Sequence, residues 1–162
     1  MAHVNHRLRR NKALGGGSAS HGLMAAAVDG WEAFSSEKRC CPACLTRKKD
    51  TKDGEITEYY HRYVFCQLIL RPIPSILDIE PILPGEGETA AAKRLIQRIL
   101  TQQPRMVDLF SFDALYADRA ILRSLNKAGK YWVVVMKVHR FLCDLRNCRS
   151  GKLPLERNPG EM

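Results

Sequence analysis

Short apolar runs, separated by polar and turn-forming segments, divide the chain into predicted strands and helices. The first run, Leu23–Val28, stops at Asp29-Gly30 and fits either a buried strand or a buried helical turn. Further along, Asp53-Gly54 is a strong signal for a two-residue hairpin turn. The segments on either side of that turn, around Leu45–Arg47 and Ile56–Leu70, are therefore expected to pair antiparallel. The second of them is rich in residues that favour strands.

The second half of the chain alternates strands with helices. Strands are predicted at Ser75–Leu83, Met106–Phe112 and Tyr131–Met136, with one helix opening within Pro84–Thr89 and ending at Pro104, and another capped by Asp118 and stopped by Gly129. Pro81 places the first of these strands at a sheet edge or marks its end. The last strand is apolar throughout, as in a sheet covered on both faces. Trp31 and Trp132 are expected in the core.

The order of these elements predicts the fold class. Three antiparallel strands are followed by helix, strand, helix and strand, which predicts an α/β fold with a mixed five-stranded sheet and flanking helices. We place the folded domain at residues 22–140. A flexible basic lead-in is expected at residues 1–21, and an irregular tail containing Pro and Gly at residues 141–162.

Composition adds a candidate partner. The 162 residues are 45% hydrophobic and 27% charged, which is typical of one globular domain. Lysine and arginine number 26 against 17 aspartate and glutamate, and the net charge of +9 points to nucleic acid, unless the protein is simply basic. No apolar run is long enough for a membrane helix, and the basic start is not a secretory signal. We therefore expect a cytoplasmic protein with reduced cysteines and no membrane partner.

Two aspartates occupy matching positions in the predicted sheet. Asp29 follows the first strand, and Asp113 follows the strand at Met106–Phe112. In a mixed sheet of this order the two strands can lie side by side. Neighbouring carboxylates at strand ends would suit a pair of Mg²⁺ ions that promote an in-line phosphoryl displacement. The alternative is that each aspartate only ends its strand, because Asp is common in turns.

Several motifs surround these acids. They are Ala27-Val28-Asp29-Gly30-Trp31-Glu32, Ser35–Cys41, Leu45-Thr46-Arg47, Tyr59–Arg62, Glu80–Glu88 and Asp113-Ala114-Leu115-Tyr116. Together they resemble the catalytic domain of DDE-type transposases of bacterial insertion sequences over roughly residues 22–140, and Asp113–Tyr116 is the most specific of them. The resemblance implies the RNase H-like fold and DNA cutting and joining. It also implies that Asp29 and Asp113 are the first two acids of a triad that holds Mg²⁺, with Mn²⁺ able to replace it.

The third acid of that family is a glutamate on a helix well after the fifth strand. Only Glu156 and Glu161 remain in that part of this chain, both among Pro and Gly, so neither is assigned the role. The family's upstream DNA-binding region is also missing. We therefore expect part of a transposase that is inactive as an isolated chain; the alternatives are an RNase H-like nuclease and a non-catalytic DNA-binding remnant. The implied partners are transposon ends and target DNA, and a homodimer of the full-length form stays open.

A basic cluster near the hairpin is the candidate DNA contact. It consists of Lys38, Arg39, Arg47, Lys48 and Lys49. Such a cluster can neutralise phosphates, and the alternative is a solvated, charged hairpin. Glu86 and Glu88 lie near the start of the first predicted helix. The positive end of the helix dipole favours negatively charged side chains there, which is sufficient to explain both residues.

Cysteines beside the basic cluster form one Cys-x-x-Cys motif, Cys41–Cys44, preceded by Cys40. Structural Zn²⁺ is usually four-coordinate, and the residues that could complete the set are His61, Cys66 and the pair Cys143 and Cys148. One such motif with a distant second pair is weak evidence. The spacing therefore favours free reduced thiols, and Zn²⁺ is not expected.

Overall fold

The chain folds as a mixed α/β structure on one six-stranded sheet. The computed structural model describes residues 23–52, 54–69 and 75–135, together with Val4, Asn5 and Arg7. Strands β1 to β6 span Ala25–Ser36, Leu45–Thr51, Gly54–Leu68, Ser75–Pro81, Leu109–Asp113 and Tyr131–Val135. Helices α1 and α2 span Glu88–Gln102 and Arg119–Lys127, and a 3₁₀ turn at Ala114–Tyr116 follows β5.

The sheet has the order β2-β3-β1-β5-β6, and β4 also pairs with β3. Strand β3 is antiparallel to β1, β2 and β4, whereas β1, β5 and β6 run parallel. The predicted antiparallel pairing of the two segments that flank Asp53-Gly54 is confirmed, because β2 pairs with β3 from Leu45 opposite Tyr60 to Thr51 opposite Gly54. The predicted total of five strands is wrong, because this hairpin arm brings the sheet to six strands. All residues of β2 except Leu45 are exposed. No alternation of apolar and polar residues therefore marks it in the sequence. Gly54 has a positive φ of 122°, while Asp53 lies outside the described residues.

Strand β1 runs well beyond the segment predicted for it. It was expected to end before Asp29, but it continues because β3 supplies pairing partners as far as Ser36, which lies opposite Tyr59. A bulge in the pairing lies between Glu32 and Phe34. Asp29 consequently lies inside the strand, opposite Phe65, and the expectation that it follows the strand is wrong.

The core lies between the two helices and one face of the sheet. The strands contribute Val28, Val64, Cys66, Phe110 and Phe112, and the helices contribute Leu95, Ile96, Ile99, Ile121 and Leu125. Asp118 caps α2 as predicted, accepting hydrogen bonds from the backbone of Ala120 and Ile121. Gly129 follows α2 with a positive φ of 67°, which fits its predicted role as the stop. No helix in the described ranges is long and apolar enough to cross a membrane.

Ion pairs fasten α1 to the edge strand β4. Arg98 contacts Asp78 and Glu80, and Arg94 contacts Glu80 and Glu86. The hydrogen bonds from Arg94 are the main reason that the pKa of Glu86 falls to about 2. These contacts hold α1 against the sheet, and Glu88 is the first residue of that helix.

The opposite face of the sheet is open within the described residues. Trp31 is 56% exposed, so its expected core position is wrong, whereas Trp132 is half-buried and packs against the core. In β6, Val133 and Val135 are also exposed. The prediction that β6 is covered on both faces therefore does not hold for the part of the chain that the structure describes.

Most residues of the two predicted terminal segments lie outside the part of the chain that the structure describes. Of residues 1–21, Val4, Asn5 and Arg7 are described, and the buried Asn5 donates a hydrogen bond from Nδ2 to the Leu77 carbonyl oxygen at 2.7 Å. The predicted irregular tail at residues 141–162 lies outside the described residues, as do Glu156 and Glu161.

Candidate active site

Asp29 of β1 and Asp113 of β5 lie on neighbouring parallel strands. The pairing between these strands runs from Ala25 opposite Leu109 to Ala27 opposite Ser111, and Asp29 and Asp113 each lie two residues beyond its last pair. Because side chains alternate between the faces of a strand, both aspartates project on the open face of the sheet. Asp113 is the last residue of β5, close to its predicted position, and the predicted adjacency of the two strands is confirmed.

The backbone holds one oxygen of each aspartate. Asp29 Oδ1 accepts a hydrogen bond from the Gly30 N–H at 2.8 Å, and Asp113 Oδ1 accepts one from the Leu115 N–H at 2.9 Å. Both aspartates are exposed, and in the described ranges neither carboxylate forms an ion pair. The two side chains are therefore oriented by short local contacts and keep their negative charge available for a ligand.

Glu88 places a third carboxylate against β1, on the face of the strand opposite to Asp29. Its Oε2 accepts a hydrogen bond from Arg62 at 2.7 Å, and its Oε1 accepts one from the Tyr116 hydroxyl. It also lies directly over Gly30: a Cβ at that position would come within 2.6 Å of the Glu88 carboxyl carbon. Gly30 thus leaves the space in which the start of α1 approaches β1.

The negative charges of Glu88, Asp29 and Asp113 all act on the buried Tyr116 hydroxyl. Burial raises the pKa of Tyr116, and the hydrogen bond to Glu88 raises it further, followed by the negative charges of Glu88, Asp29 and Asp113. The phenol therefore stays protonated near neutral pH and remains a hydrogen-bond donor to Glu88.

The aspartates fit a cation of the Mg²⁺ or Mn²⁺ type. Such ions prefer oxygen ligands, and Mg²⁺ keeps several waters while using one or two protein carboxylates. Asp29 and Asp113 are exposed and are not paired with a cation among the described side chains, which suits that requirement. Glu88 differs from them because Arg62 and Tyr116 already engage its two oxygens.

Gly30→Ala is predicted to destabilise the protein by about 1–3 kcal/mol, because the added methyl group would overlap a carboxylate that Arg62 and Tyr116 hold in place. In a Glu88→Ala background the same substitution should cost much less. Urea unfolding of the two single variants and the double variant measures this coupling. An equal cost of Gly30→Ala in both backgrounds would contradict the close approach of α1 to β1.

Arg47 contacts two acidic side chains, more than any other member of the predicted basic cluster among the described residues. Its two terminal nitrogens bind the Glu32 carboxylate, each at 2.9 Å, and its Nε contacts Glu58. The guanidinium also lies over the Tyr60 ring, 4.6 Å from the ring centroid. Hydrogen bonding from Arg47 is the main cause of the lowered pKa of Glu58. Arg47 therefore acts chiefly in holding β1, β2 and β3 together.

The other basic residues divide into two groups. Lys48 pairs with Glu55 at 2.7 Å, and Lys49 lies 3.9 Å from Glu58. Lys38 and Arg39 are exposed in the segment between β1 and β2, and within the described ranges their side chains form no ion pair. Their backbone N–H groups donate to Ser36 Oγ, which fixes the turn that carries them.

The structure brings the side chains of Cys41 and Cys44 next to that of His61, which lies on β3. Cys66, another residue considered for a metal set, is instead fully buried in the core, where burial is the main cause of its raised pKa. Cys143 and Cys148 lie outside the described residues.

Glu88 is the residue of this region that sequence reasoning missed. Its position at a helix start was sufficient to explain a glutamate there, so nothing local connected it with Asp29. The only sequence signal is Gly30, whose missing side chain leaves room for another group. Gly30 and Glu88 are far apart in the chain, and they meet only because the fold places the start of α1 over β1.

No family model, curated protein or solved structure matches the chain.

Proposed function

We propose that the chain is part of the RNase H-like catalytic domain of a DDE-type DNA transposase, with Asp29 and Asp113 as the metal-holding acids. The observation that carries the proposal is that these two aspartates lie on neighbouring parallel strands, each two residues beyond the last pair between the strands. The sequence motifs around both acids, above all Asp113-Ala114-Leu115-Tyr116, give the resemblance on which the family assignment rests.

The arrangement of the sheet supports the fold part of the proposal. When β2 is set aside as a hairpin addition, the remaining order is β4-β3-β1-β5-β6. Three antiparallel strands come first in the chain, and two further strands run parallel to β1, separated by helices. That is the strand order that the family resemblance implies.

The chemistry of the site supports the acid assignment. A bound Mg²⁺ or Mn²⁺ would activate the attacking oxygen and stabilise the leaving oxygen of a phosphoryl displacement. The chain's own residues hold the two carboxylates ready: the Gly30 and Leu115 N–H groups orient Asp29 and Asp113. On the other face of β1, Arg62 and Tyr116 hold the Glu88 carboxylate against Gly30 and so keep this part of the strand in place.

The DNA-contacting surface is proposed at the segment between β1 and β2. Lys38 and Arg39 are exposed there without acidic partners among the described side chains, in contrast to Arg47 and Lys48. A phosphate group would meet their full charge, because no carboxylate has to be displaced first. The net charge of +9 adds long-range attraction for DNA.

DNA affinity is predicted to fall steeply with salt, because each neutralised phosphate releases a counterion and adds about 0.9 to the slope of log K against log salt. Removing both charges in Lys38→Gln/Arg39→Gln should lower that slope measurably. The matched control is Arg123→Gln/Lys127→Gln, which removes two exposed charges from α2 and should leave the slope close to that of the unaltered chain. Fluorescence anisotropy with duplex DNA between ~50 and 200 mM salt measures all three.

Two results of that titration would count against the proposal. Affinity without salt dependence would remove the electrostatic argument for a DNA partner. Equal effects of the two double variants would show that total charge, and not the surface between β1 and β2, determines binding. DNA binding of this kind would also be found in a non-catalytic remnant, so metal binding at Asp29 and Asp113 is needed to separate that alternative from a transposase domain.

A further inference from the structure

A second cluster of metal-ligating side chains lies away from the aspartates, where the segment between β1 and β2 folds against β3. Its members are Cys41, Cys44 and His61. Both sulfur atoms lie 3.3 Å from the His61 Nε2, and the two sulfur atoms are 3.6 Å apart. Three potential ligand atoms thus form a nearly equilateral triangle.

That triangle has nearly the dimensions of three corners of a zinc site. Zn–S bonds are about 2.3 Å and Zn–N bonds about 2.0–2.1 Å, so ligand atoms in a tetrahedral site lie about 3.4–3.8 Å from one another. The observed separations need to grow by only a few tenths of an ångström to enclose the ion. Two thiolates with an imidazole are also ligands that Zn²⁺ favours over Mg²⁺.

The local backbone builds this arrangement before any ion enters. The Cys44 N–H donates to the Cys41 carbonyl oxygen at 3.0 Å, which closes a turn and brings both sulfur atoms to the same side. The Cys41 N–H donates to Cys44 Sγ at 3.2 Å, a contact that supports a thiolate. The Phe34 ring lies 5.2 Å from the His61 ring between centroids and limits the positions that the imidazole can take.

The closeness of the two sulfur atoms favours a cation as well. Two thiolates 3.6 Å apart would repel each other. A divalent cation between the sulfur atoms would remove this repulsion, because both thiolates would then face a positive charge. Cys40 is exposed and adjacent, so it or solvent is available for the fourth coordination position.

We propose that Cys41, Cys44 and His61 bind a structural Zn²⁺ ion that fastens the segment between β1 and β2 to β3. The proposal reverses the expectation from cysteine spacing, because the third ligand comes from a strand and not from a second Cys-x-x-Cys motif. It is independent of the transposase proposal and of the site at Asp29 and Asp113. Its structural consequence is a fixed position for Lys38 and Arg39, which lie in the fastened segment.

The test is the metal content of the full chain, purified under reducing conditions and measured by mass spectrometry of the elements. About one Zn²⁺ per chain is expected, and Cys41→Ser, Cys44→Ser and His61→Ala should each lose most of it. The matched control is Cys66→Ala, which also removes a buried thiol but should retain the metal. Co²⁺ added to metal-free native chain should give the absorption of a tetrahedral thiolate site, a readout that does not depend on how well the variants fold.

Three results would overturn the proposal. The first is a reduced native chain that binds neither Zn²⁺ nor Co²⁺. The second is zinc that persists in the Cys41→Ser/Cys44→Ser double variant, since the ion would then be elsewhere. The third is a Cys41–Cys44 disulfide in the isolated protein that, once reduced, leaves thiols with no affinity for Zn²⁺.

Discussion

Asp29→Asn and Asp113→Asn should each weaken Mn²⁺ binding at least about tenfold, equivalent to ~1.4 kcal/mol. The reason is that each carboxylate supplies a full negative charge and an oxygen ligand, whereas asparagine supplies only a neutral carbonyl oxygen. The backbone contacts that orient both side chains involve a carboxyl oxygen that the amide can replace, so the fold should be little affected. Electron paramagnetic resonance of free Mn²⁺ during titration measures the affinity.

The matched control for that experiment is Asp50→Asn. Asp50 is also an exposed aspartate on a strand, but it lies in β2, away from β5. Its substitution should leave Mn²⁺ affinity unchanged. If the double variant Asp29→Asn/Asp113→Asn bound Mn²⁺ as tightly as the unaltered chain, the two aspartates would not be metal ligands.

The second expected result is the absence of DNA cleavage by this chain alone, with Mg²⁺ or Mn²⁺. In phosphoryl transfer, positioning and charge stabilisation supply most of the reduction of the barrier. Of the three described acids in this part of the molecule, only Asp29 and Asp113 have no side-chain partner, because Arg62 and Tyr116 engage Glu88. Two carboxylates would hold a first ion but leave a second one weakly bound, so the attacking oxygen would be poorly aligned.

The assay uses labelled DNA carrying the ends of the insertion sequence that the proposed function implies, with the chain in excess and products separated on a denaturing gel. Cleavage that is lost in both Asp29→Ala and Asp113→Ala, but kept in Asp50→Ala, would show the prediction to be wrong. Glu88→Gln would then be informative: if it also abolished cleavage, Glu88 would act together with the aspartates, and if it did not, an acid from another part of the chain or from a second subunit would complete the site.

Much of the fold could be predicted because its strands and helices carry local signals. The periodic apolar positions of α1, the Asp118 cap of α2 and the Gly129 stop are all interactions between near neighbours in the chain. Strand β2 has no apolar alternation of its own, and only the Asp53-Gly54 turn signal predicts its pairing with β3. The second half of β1 carries no local signal. It is a strand because β3 is long enough to pair with it as far as Ser36, and that partner cannot be recognised from the sequence of β1.

The candidate sites divide in the same way. Asp29 and Asp113 could be predicted because each lies in or at the end of an apolar strand and in a family-like motif. Glu88 could not, because its meeting with Gly30 depends on how α1 packs across the sheet. His61 was considered as a ligand, but only the register of β3 with its neighbouring strands brings its imidazole to Cys41 and Cys44.

The joint metal site at Asp29 and Asp113 is tested most directly by a crystal structure of the chain grown with Mn²⁺, using anomalous scattering to locate the ion. An anomalous peak is expected between the two aspartates, with a carboxylate oxygen of each at about 2.0–2.2 Å from the ion. Carboxylates more than about 10 Å apart, or Mn²⁺ bound only elsewhere, would contradict that expectation.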